Sequence, residues 1–332
     1  MIMQIAAAFL VSLVATLIFG AFLIPALRRA NAGQTIREDG PVWHNKKQGT
    51  PTMGGAMFIV GIGLACIIVG YRSIADGDLT HVYIFLFALI YAAIGFLDDY
   101  RKVKKKQNLG LKASQKFALQ LIAAIVFVLI MQVSGKLKAE LFIPFVNVSI
   151  ILPVPLYYIF AAFVAVGTVN SVNITDGVDG LATGVTVPVA AFFVVVSLKW
   201  GFSSVSVFAS ALTGGLLAFL FYNFHPAKVI MGDTGSLFLG GAICAMAFAH
   251  NIPLVLIPLG IVYFIETLSD IIQVSYFKLT HGKRVFKMAP IHHHFELCGW
   301  SEYKLFAVFT AVSTLFAIIS FYGVRFLGEG MF

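Results

Sequence analysis

The stretch IGFLDDYRKVKKK, Ile94 to Lys106, is an apolar run that ends in two adjacent acids followed by a cluster of basic residues. This order is typical of a membrane-spanning helix that stops at the water interface, because charged side chains are costly inside the hydrocarbon. The whole chain supports this interpretation, since 59% of its 332 residues are hydrophobic, only 11% are charged and the mean hydropathy is +0.92. Such a composition excludes an ordinary soluble domain and predicts an integral membrane protein.

Several further runs are apolar and long enough to cross roughly 30 Å of hydrocarbon as a helix. The sequence therefore predicts an all-α membrane protein, folded as a single polytopic domain over residues 1–332 because no segment between spans is long enough for a separate domain. A short β-hairpin on the outer face is predicted within Ala139–Leu152, which alternates and is β-branched. The ten predicted spans are Ile2–Leu27, Met53–Tyr71, His81–Leu97, Phe117–Val133, Pro153–Val169, Leu181–Leu198, Val205–Phe224, Ser236–Ala249, Ile252–Phe277 and Leu305–Phe326.

The positions of the basic residues predict which side of the membrane each loop occupies. Loops that follow odd-numbered spans must share one side, and they hold eighteen of the 23 Lys and Arg residues. The positive-inside rule places these loops in the cytoplasm, so both termini are expected on the extracytoplasmic side. Basic charge confined to short loops suits an anionic leaflet or substrate, and nucleic acid is not expected as a partner.

Acidic residues are concentrated in the same loops, which hold nine of the 15 Asp and Glu residues. Mixed charge at several helix ends indicates a site that holds both a metal and phosphates, because a surface that binds only anionic lipid needs only cations. Asp98 and Asp99 are either such site acids or an interfacial stop signal paired with Arg101 or Lys102. Asp233 is either a helix cap or a magnesium ligand.

Two longer polar segments are candidates for substrate binding. NSVNITDGVDGLATG, Asn170 to Gly184, contains two Asp-Gly steps, which can form tight turns but also bring backbone amides close to a ligand. KRVFKMAPIHHHFELCGW, Lys283 to Trp300, holds three consecutive histidines whose spacing does not fit a helical zinc site. Beside phosphate they can donate hydrogen bonds, and elsewhere at an interface they can simply be hydrogen-bonded.

Five motifs occur in an order that extends over almost the whole chain: TPTMGG, DDYRKV, NITDGVDGL, MGDTGSL and APIHHHFE. With them the sequence resembles the phospho-N-acetylmuramoyl-pentapeptide-transferase family, within the polyprenyl-phosphate N-acetylhexosamine-1-phosphate transferases. The resemblance implies Mg²⁺-dependent transfer of phospho-MurNAc-pentapeptide from UDP-MurNAc-pentapeptide to undecaprenyl phosphate, giving lipid I and UMP for peptidoglycan biosynthesis. It also implies a homodimer in the bacterial inner membrane, with the active site facing the cytoplasm.

The resemblance assigns roles to individual residues. It implies catalytic roles for Asp98, Asp99, Asp233 and His293, with Asp233 as the magnesium ligand and Asp98 as either the base or the nucleophile. Gly177, Val178 and Asp179 match the uracil-binding turn. The full set of implied substrate contacts is Lys47, Thr52, Lys116, Asn173, Asp176, Gly177, Val178, Asp179, His292 and His294.

Asp270 departs from the family pattern, which has an apolar residue at this position. Glu266 lies four residues earlier on the same predicted helix face, so the two acids are expected to repel unless a cation or proton intervenes. No role is assigned to Asp270. Two alternatives stay open: a UDP-N-acetylglucosamine transferase of the same superfamily, and a proton-coupled secondary transporter that uses these two acids.

Overall fold

Helices account for nearly all the regular structure of the computed structural model, which describes residues 1–30, 32–33, 48–105, 107, 109–135 and 138–325. This confirms the all-α class. The elements in chain order are α1 (Ile2–Arg29), α2 (Ala56–Ile68), α3 (Tyr71–Ala75), α4 (Thr80–Lys105), α5 (Ala113–Val133), β1 (Glu140–Ile143), β2 (Val148–Ile151), α6 (Val154–Thr175), α7 (Leu181–Trp200), α8 (Ser203–Asn223), α9 (Gly232–Ala249), a 3₁₀ turn (Pro253–Val255), α10 (Leu256–Leu259), α11 (Ile261–Leu279), α12 (Ile291–Glu296) and α13 (Glu302–Val324).

Eight of the helices within these ranges are long and apolar enough to cross a membrane. The predicted ninth span is divided, because Pro253–Leu259 and Ile261–Leu279 meet at an angle of 79°. The predicted second span is the 13-residue helix α2, which is shorter than a normal span. Among the described residues, eight of the ten predicted spans are therefore present as helices of sufficient length, the ninth is a bent pair and the second is a shorter apolar helix.

The second span is shorter than predicted because its first residues pair with another segment instead of forming helix. Met53 has a φ of 68°. The Gly54 and Gly55 amides donate to the carbonyls of Ile230 and Met231, at 2.9 and 3.0 Å. An apolar, glycine-rich stretch satisfies its backbone either way, so composition alone does not distinguish this pairing from a helix.

The third span is longer than predicted, since α4 continues for two turns beyond Leu97 to Lys105. An ion pair between Lys102 Nζ and Asp98 Oδ2, at 2.6 Å and four residues apart, supports this extension. Lysines in the last turn also interact favourably with the helix dipole. Both aspartates therefore lie within the helix and not in the loop that follows it.

Two other helices extend into the segments that were expected to be loops. Helix α6 continues to Thr175, so the predicted loop 170–184 is reduced to a turn at residues 176–180. Helix α9 begins at Gly232 and not at Ser236, which places Asp233 in its first turn.

Glycines bring α4 and α6 close to the central helix α9. A Cβ atom at Gly95 of α4 would overlap the Asp233 carbonyl oxygen, and one at Gly240 of α9 would lie 2.5 Å from the Val169 Cα atom of α6. Small residues of this kind are common where membrane helices pack backbone to backbone. The close packing places the last turns of α4 and α6 beside the first turn of α9.

The predicted hairpin is present, with Glu140 opposite Ile151 and Ile143 opposite Val148. The amide of Phe145 in its turn donates to the carbonyl of Gly323, near the end of α13. Lys138, just before the hairpin, donates from its amide to Asn251, just after α9. The hairpin therefore lies at the end of the bundle opposite to the start of α9.

Candidate functional site

Three carboxylates meet where α4 ends and α9 begins. Asp98, Asp99 and Asp233 each offer an oxygen within 4.8 Å of the others. Asp98 and Asp99 are both only 3% exposed. Both acids of the α4 pair therefore face the protein interior. We call these three residues the acid cluster.

Asp99 holds the first turn of α9 through both of its carboxylate oxygens. Oδ1 accepts from the Asp233 amide at 3.2 Å, and Oδ2 accepts from the Thr234 amide and hydroxyl at 2.8 and 2.7 Å. Helix α9 has Met231 at its N-cap, which supplies no side-chain cap. An acid from another helix thus satisfies the first amides and interacts favourably with the dipole.

Two lysines form ion pairs with the acid cluster. Lys102 Nζ lies 2.6 Å from Asp98 Oδ2 and 3.0 Å from Asp233 Oδ2, while Lys116 Nζ lies 2.7 Å from the same Asp233 oxygen. The predicted pairing of Lys102 with the α4 acids is present, but this lysine also connects α4 with α9. Lys102 was not predicted as a site residue, although its spacing from Asp98 and Asp99 is the signal that could have identified it.

The acid cluster fits a hard divalent cation. Carboxylate oxygens are the ligands that Mg²⁺ prefers, and three of them lie within reach of one ion. The oxygens of Asp98 and Asp233 that face one another contact Lys102, so a metal requires this side chain to move aside. The Lys102 side chain is 30% exposed, which leaves it room to do so.

Asn173, in the last turn of α6, connects the acid cluster to the turn at 176–180. Its amide nitrogen donates to Asp233 Oδ1 at 3.0 Å and to Ser236 Oγ at 2.7 Å. Asp176 follows at the C-cap of α6 and is half-buried, while Val178 is buried.

Asp179 fixes the turn to two other parts of the protein. Its Oδ2 accepts from the Ala227 amide at 3.0 Å and lies 3.0 Å from His225 Nδ1. Its amide donates to Glu302 Oε2, at the start of α13, at 3.1 Å. His225 and Glu302 were not predicted, because nothing in their spacing indicates contact with residues 46 and 123 positions away.

The three histidines of α12 turn toward three different partners. His292 is 1% exposed, and its Nδ1 lies 2.9 Å from Oε2 of the buried Glu266. His293 Nδ1 lies 2.6 Å from Glu296 Oε2, and His294 Nδ1 accepts from the Lys287 amide at 3.1 Å. His292 reaches the turn at 176–180, because a Cβ at Gly177 would overlap its Nε2 atom.

Of the two predicted residues from the first loop, Thr52 lies beside the acid cluster and Lys47 falls outside the described residues. Thr52 is nearly buried. A Cβ at Gly232 would lie 2.7 Å from Asp99 Oδ2 and 2.9 Å from Thr52 Oγ1, so the hydroxyl and this carboxylate flank the same glycine.

Asn173 thus contacts the acid cluster just before the turn at 176–180, and Gly177 of that turn contacts His292. Acids that can hold a metal, lysines that can bind phosphate and a glycine-containing turn therefore lie together at one end of the bundle. This arrangement can hold an anionic diphosphate against a divalent cation.

Comparison with known proteins gives matches along the whole chain. The family described as Glycosyl transferase family 4 matches residues 81–251, and phospho-N-acetylmuramoyl-pentapeptide-transferase signature 1 matches residues 47–59. A phospho-N-acetylmuramoyl-pentapeptide-transferase of Clostridium botulinum is 47% identical over 92% of both chains. Proteins of the same name from Caldanaerobacter subterraneus (46% identical, 98% of this chain and 100% of the relative) and Staphylococcus carnosus (45%, 93% and 96%) are similar. The similarity extends over the helices that carry the acids, the turn and the histidines.

Proposed function

We infer that this chain, which belongs to the phospho-N-acetylmuramoyl-pentapeptide-transferase family, transfers phospho-MurNAc-pentapeptide from UDP-MurNAc-pentapeptide to a polyprenyl phosphate in peptidoglycan synthesis. The observation that carries this conclusion is the identity of 45–47% to enzymes of that name over more than nine-tenths of each chain. The finer proposal is that the acceptor is undecaprenyl phosphate and that the products are lipid I and UMP.

The acid cluster is the proposed centre of the reaction, with Mg²⁺ as the metal. Asp233 would hold the ion together with Asp98, since oxygens of both face Lys102 at the same point. When bound, the ion would neutralise the diphosphate and polarise its oxygens. Asp99 orients Asp233 by holding its helix, and Asn173 fixes the other Asp233 oxygen.

The lysines and Asp98 act on the two phosphate-bearing substrates in this proposal. Lys116 and Lys102, released from Asp233, are point charges that bind phosphate oxygens. Asp98 either takes the proton of the lipid phosphate, whose oxygen then attacks the sugar-bearing phosphorus of the donor and displaces UMP, or attacks that phosphorus itself. In the second case Asp98 displaces UMP first, and the lipid phosphate then displaces Asp98. The turn at 176–180, with Thr52 and the α12 histidines, would contact the nucleotide side of the donor.

The proposed orientation places the acid cluster at the cytoplasmic surface of the bacterial inner membrane. It rests on the basic loops, which follow the odd-numbered spans at the end where the acids lie. The start of α1 lies at the opposite end, since Gln4 and Ile5 contact Ser203 and Ser210 of α8. The last turn of α13 also lies there, because Gly323 contacts the hairpin. From the family resemblance alone we propose a homodimer.

The two alternatives are not favoured. The relatives that cover the chain carry the pentapeptide-transferase name, and not that of a transferase for the simpler sugar nucleotide. A transporter places its binding residues near the bilayer midplane, whereas the carboxylates and lysines of this chain gather where helices end.

A product assay tests the proposed function directly. The purified protein is incubated with undecaprenyl phosphate, Mg²⁺ and radiolabelled UDP-MurNAc-pentapeptide, and the organic phase is analysed. We expect a labelled lipid that carries one phosphosugar, together with stoichiometric UMP. Incorporation from UDP-N-acetylglucosamine alone would contradict the proposal, as would uptake of donor into vesicles with no lipid-linked product.

A further inference from the structure

A buried pair of a carboxylate and an imidazole lies next to the turn at 176–180. Glu266, in α11, is 0% exposed, and its Oε2 lies 2.9 Å from His292 Nδ1 and 3.5 Å from the His292 amide nitrogen. Burial of an acid is expensive unless it is hydrogen-bonded, and His292 is the partner of Glu266 Oε2 in this apolar helix.

The other nitrogen of His292 faces the turn at 176–180. Its Nε2 packs against Gly177, where a Cβ would overlap it, and this nitrogen has no hydrogen-bond partner among the described residues. Leaving a buried polar atom unsatisfied is unfavourable, because the atom has lost its hydrogen bonds to water. A ring that is otherwise buried and held at Nδ1 thus presents an unsatisfied nitrogen to the segment expected to contact the nucleotide.

We propose that Glu266 is a positioning residue for the transfer reaction: it holds His292 with the hydrogen on Nδ1, so that Nε2 accepts a hydrogen bond from the uridine nucleotide. The bonding partner at one ring nitrogen determines which nitrogen carries the hydrogen in the neutral ring. With Nδ1–H donating to Glu266, Nε2 becomes an acceptor. Its partner on the nucleotide is then a donor, either a ribose hydroxyl or the imide N–H of uracil.

This inference rests on the proposed function for the identity of the nucleotide, but it makes a separate claim about coupling between two side chains. A residue that acts through His292 has no effect of its own once His292 is replaced. Two side chains that contribute independently would instead give losses that multiply.

The experiment is a double-mutant cycle of Glu266→Gln and His292→Gln, with UDP binding measured by calorimetry and transfer measured in the product assay. Residues that orient a binding side chain without touching the ligand commonly change affinity or activity by about 10–100-fold. We expect each single variant to weaken UDP binding by that order. The UDP affinity of the double variant is expected within about threefold of that of the single variant that binds UDP more weakly. The melting temperature is expected to stay unchanged. Multiplying losses would overturn the proposal, as would wild-type UDP affinity in Glu266→Gln.

A second variant keeps the test decisive if Glu266→Gln does not fold. His292→Asn retains a donor close to the Nδ1 position, so the contact with Glu266 and the fold are preserved while Nε2 is lost. We expect it to melt like the parent and to bind UDP about 10-fold or more weakly. Wild-type UDP affinity in this variant would overturn the proposal.

The matched control is Asp270→Asn, which removes the neighbouring acid on the same helix face. Asp270 is half-buried and lies within electrostatic range of Glu266 and His292, but the hydrogen bond at His292 Nδ1 is with Glu266. UDP affinity should stay within about twofold of the parent; a loss equal to that of Glu266→Gln would overturn the proposal by assigning the effect to general charge. If the protein showed no transfer but the effects of Glu266 and His292 on UDP binding were still coupled, the proposed function would be contradicted and this inference would stand.

Discussion

Asp233 is contacted by side chains from three other helices: Lys102 of α4, Lys116 of α5 and Asn173 of α6. Replacing it with Asn keeps the size and leaves the contact with Asn173 possible. It removes the charge that pairs with both lysines and that the proposed metal would need. We expect Asp233→Asn to lower the rate of transfer by at least about 100-fold. This is more than the loss usually seen when a residue that only orients a site is replaced. The product assay over a range of Mg²⁺ concentrations measures this effect.

The control for this variant is Asp76→Asn, an exposed acid in the segment after α3. Its replacement removes the same charge from the same residue type far from the acid cluster, and we expect transfer to be unchanged. Activity of Asp233→Asn that recovers at high Mg²⁺ would show that other ligands are sufficient.

Gly177 is required for the contact between the turn and the buried histidine, and not for an unusual backbone conformation. In Gly177→Ala the new methyl group would overlap His292 Nε2. We expect UDP binding to weaken by about 10-fold, the order seen when a positioning contact is lost. Gly167→Ala is the matched control on α6, because a Cβ there meets no atom within 4 Å. Equal UDP affinity in the two variants would contradict this prediction.

The position of these residues was largely predictable from the sequence, whereas their partners were not. The acids, Lys116 and Asn173 come together because the ends of α4 and α6 and the starts of α5 and α9 meet at one end of the bundle. Partners such as Glu266 for His292, or Glu302 for the Asp179 amide, lie 26 and 123 positions away in the chain. No local period encodes such pairs, because they depend on how the helices pack.

At the level of elements, the contact between α4 and α9 determines the geometry of the acid cluster. A Cβ in Gly95→Ala would overlap the backbone oxygen of Asp233, which cannot move without moving the helix. Overpacking commonly costs 1–3 kcal/mol, and we expect that order of destabilisation together with a loss of transfer. Thermal unfolding in detergent and the product assay provide the two measurements.

Gly63→Ala is the control for this helix contact, since its Cβ would lie 3.0 Å from the far end of the flexible Phe85 side chain. We expect stability and transfer close to those of the parent. If Gly95→Ala unfolded at the same temperature as Gly63→Ala and was fully active, the close approach of α4 and α9 would not control the site.

Apolar length predicted the order of the helices correctly, and it was wrong where another interaction decides the boundary. Residues 53–55 pair with residues 230–231, so α2 begins late. The ion pair of Asp98 with Lys102 extends α4 beyond the apolar run. The bend of 79° before Ile261 leaves the composition of the ninth span unchanged, and for this reason hydropathy cannot reveal it.

At the scale of the whole molecule, the hairpin and the acid cluster lie at opposite ends of the bundle, which makes the proposed orientation testable. A Cys298→Ser background removes the exposed thiol, while Cys66 and Cys244 are buried. In this background we expect Lys104→Cys to react with a membrane-impermeant thiol reagent in inside-out vesicles only. Val146→Cys, in the hairpin turn, should react in intact spheroplasts only. The reverse pattern would invert the proposed topology.

Lys102 gives the resting protein a counter-ion of its own, since its ammonium group already lies between the carboxylates that would receive magnesium. A structural zinc domain unfolds when its ion is removed, because folding and metal binding are coupled. In this protein, chelation with EDTA should abolish transfer activity without unfolding the protein. Scanning calorimetry should record the same unfolding temperature with and without the chelator. The fold of such a protein does not depend on the bound ion, so the protein is fully assembled in its membrane before the ion binds.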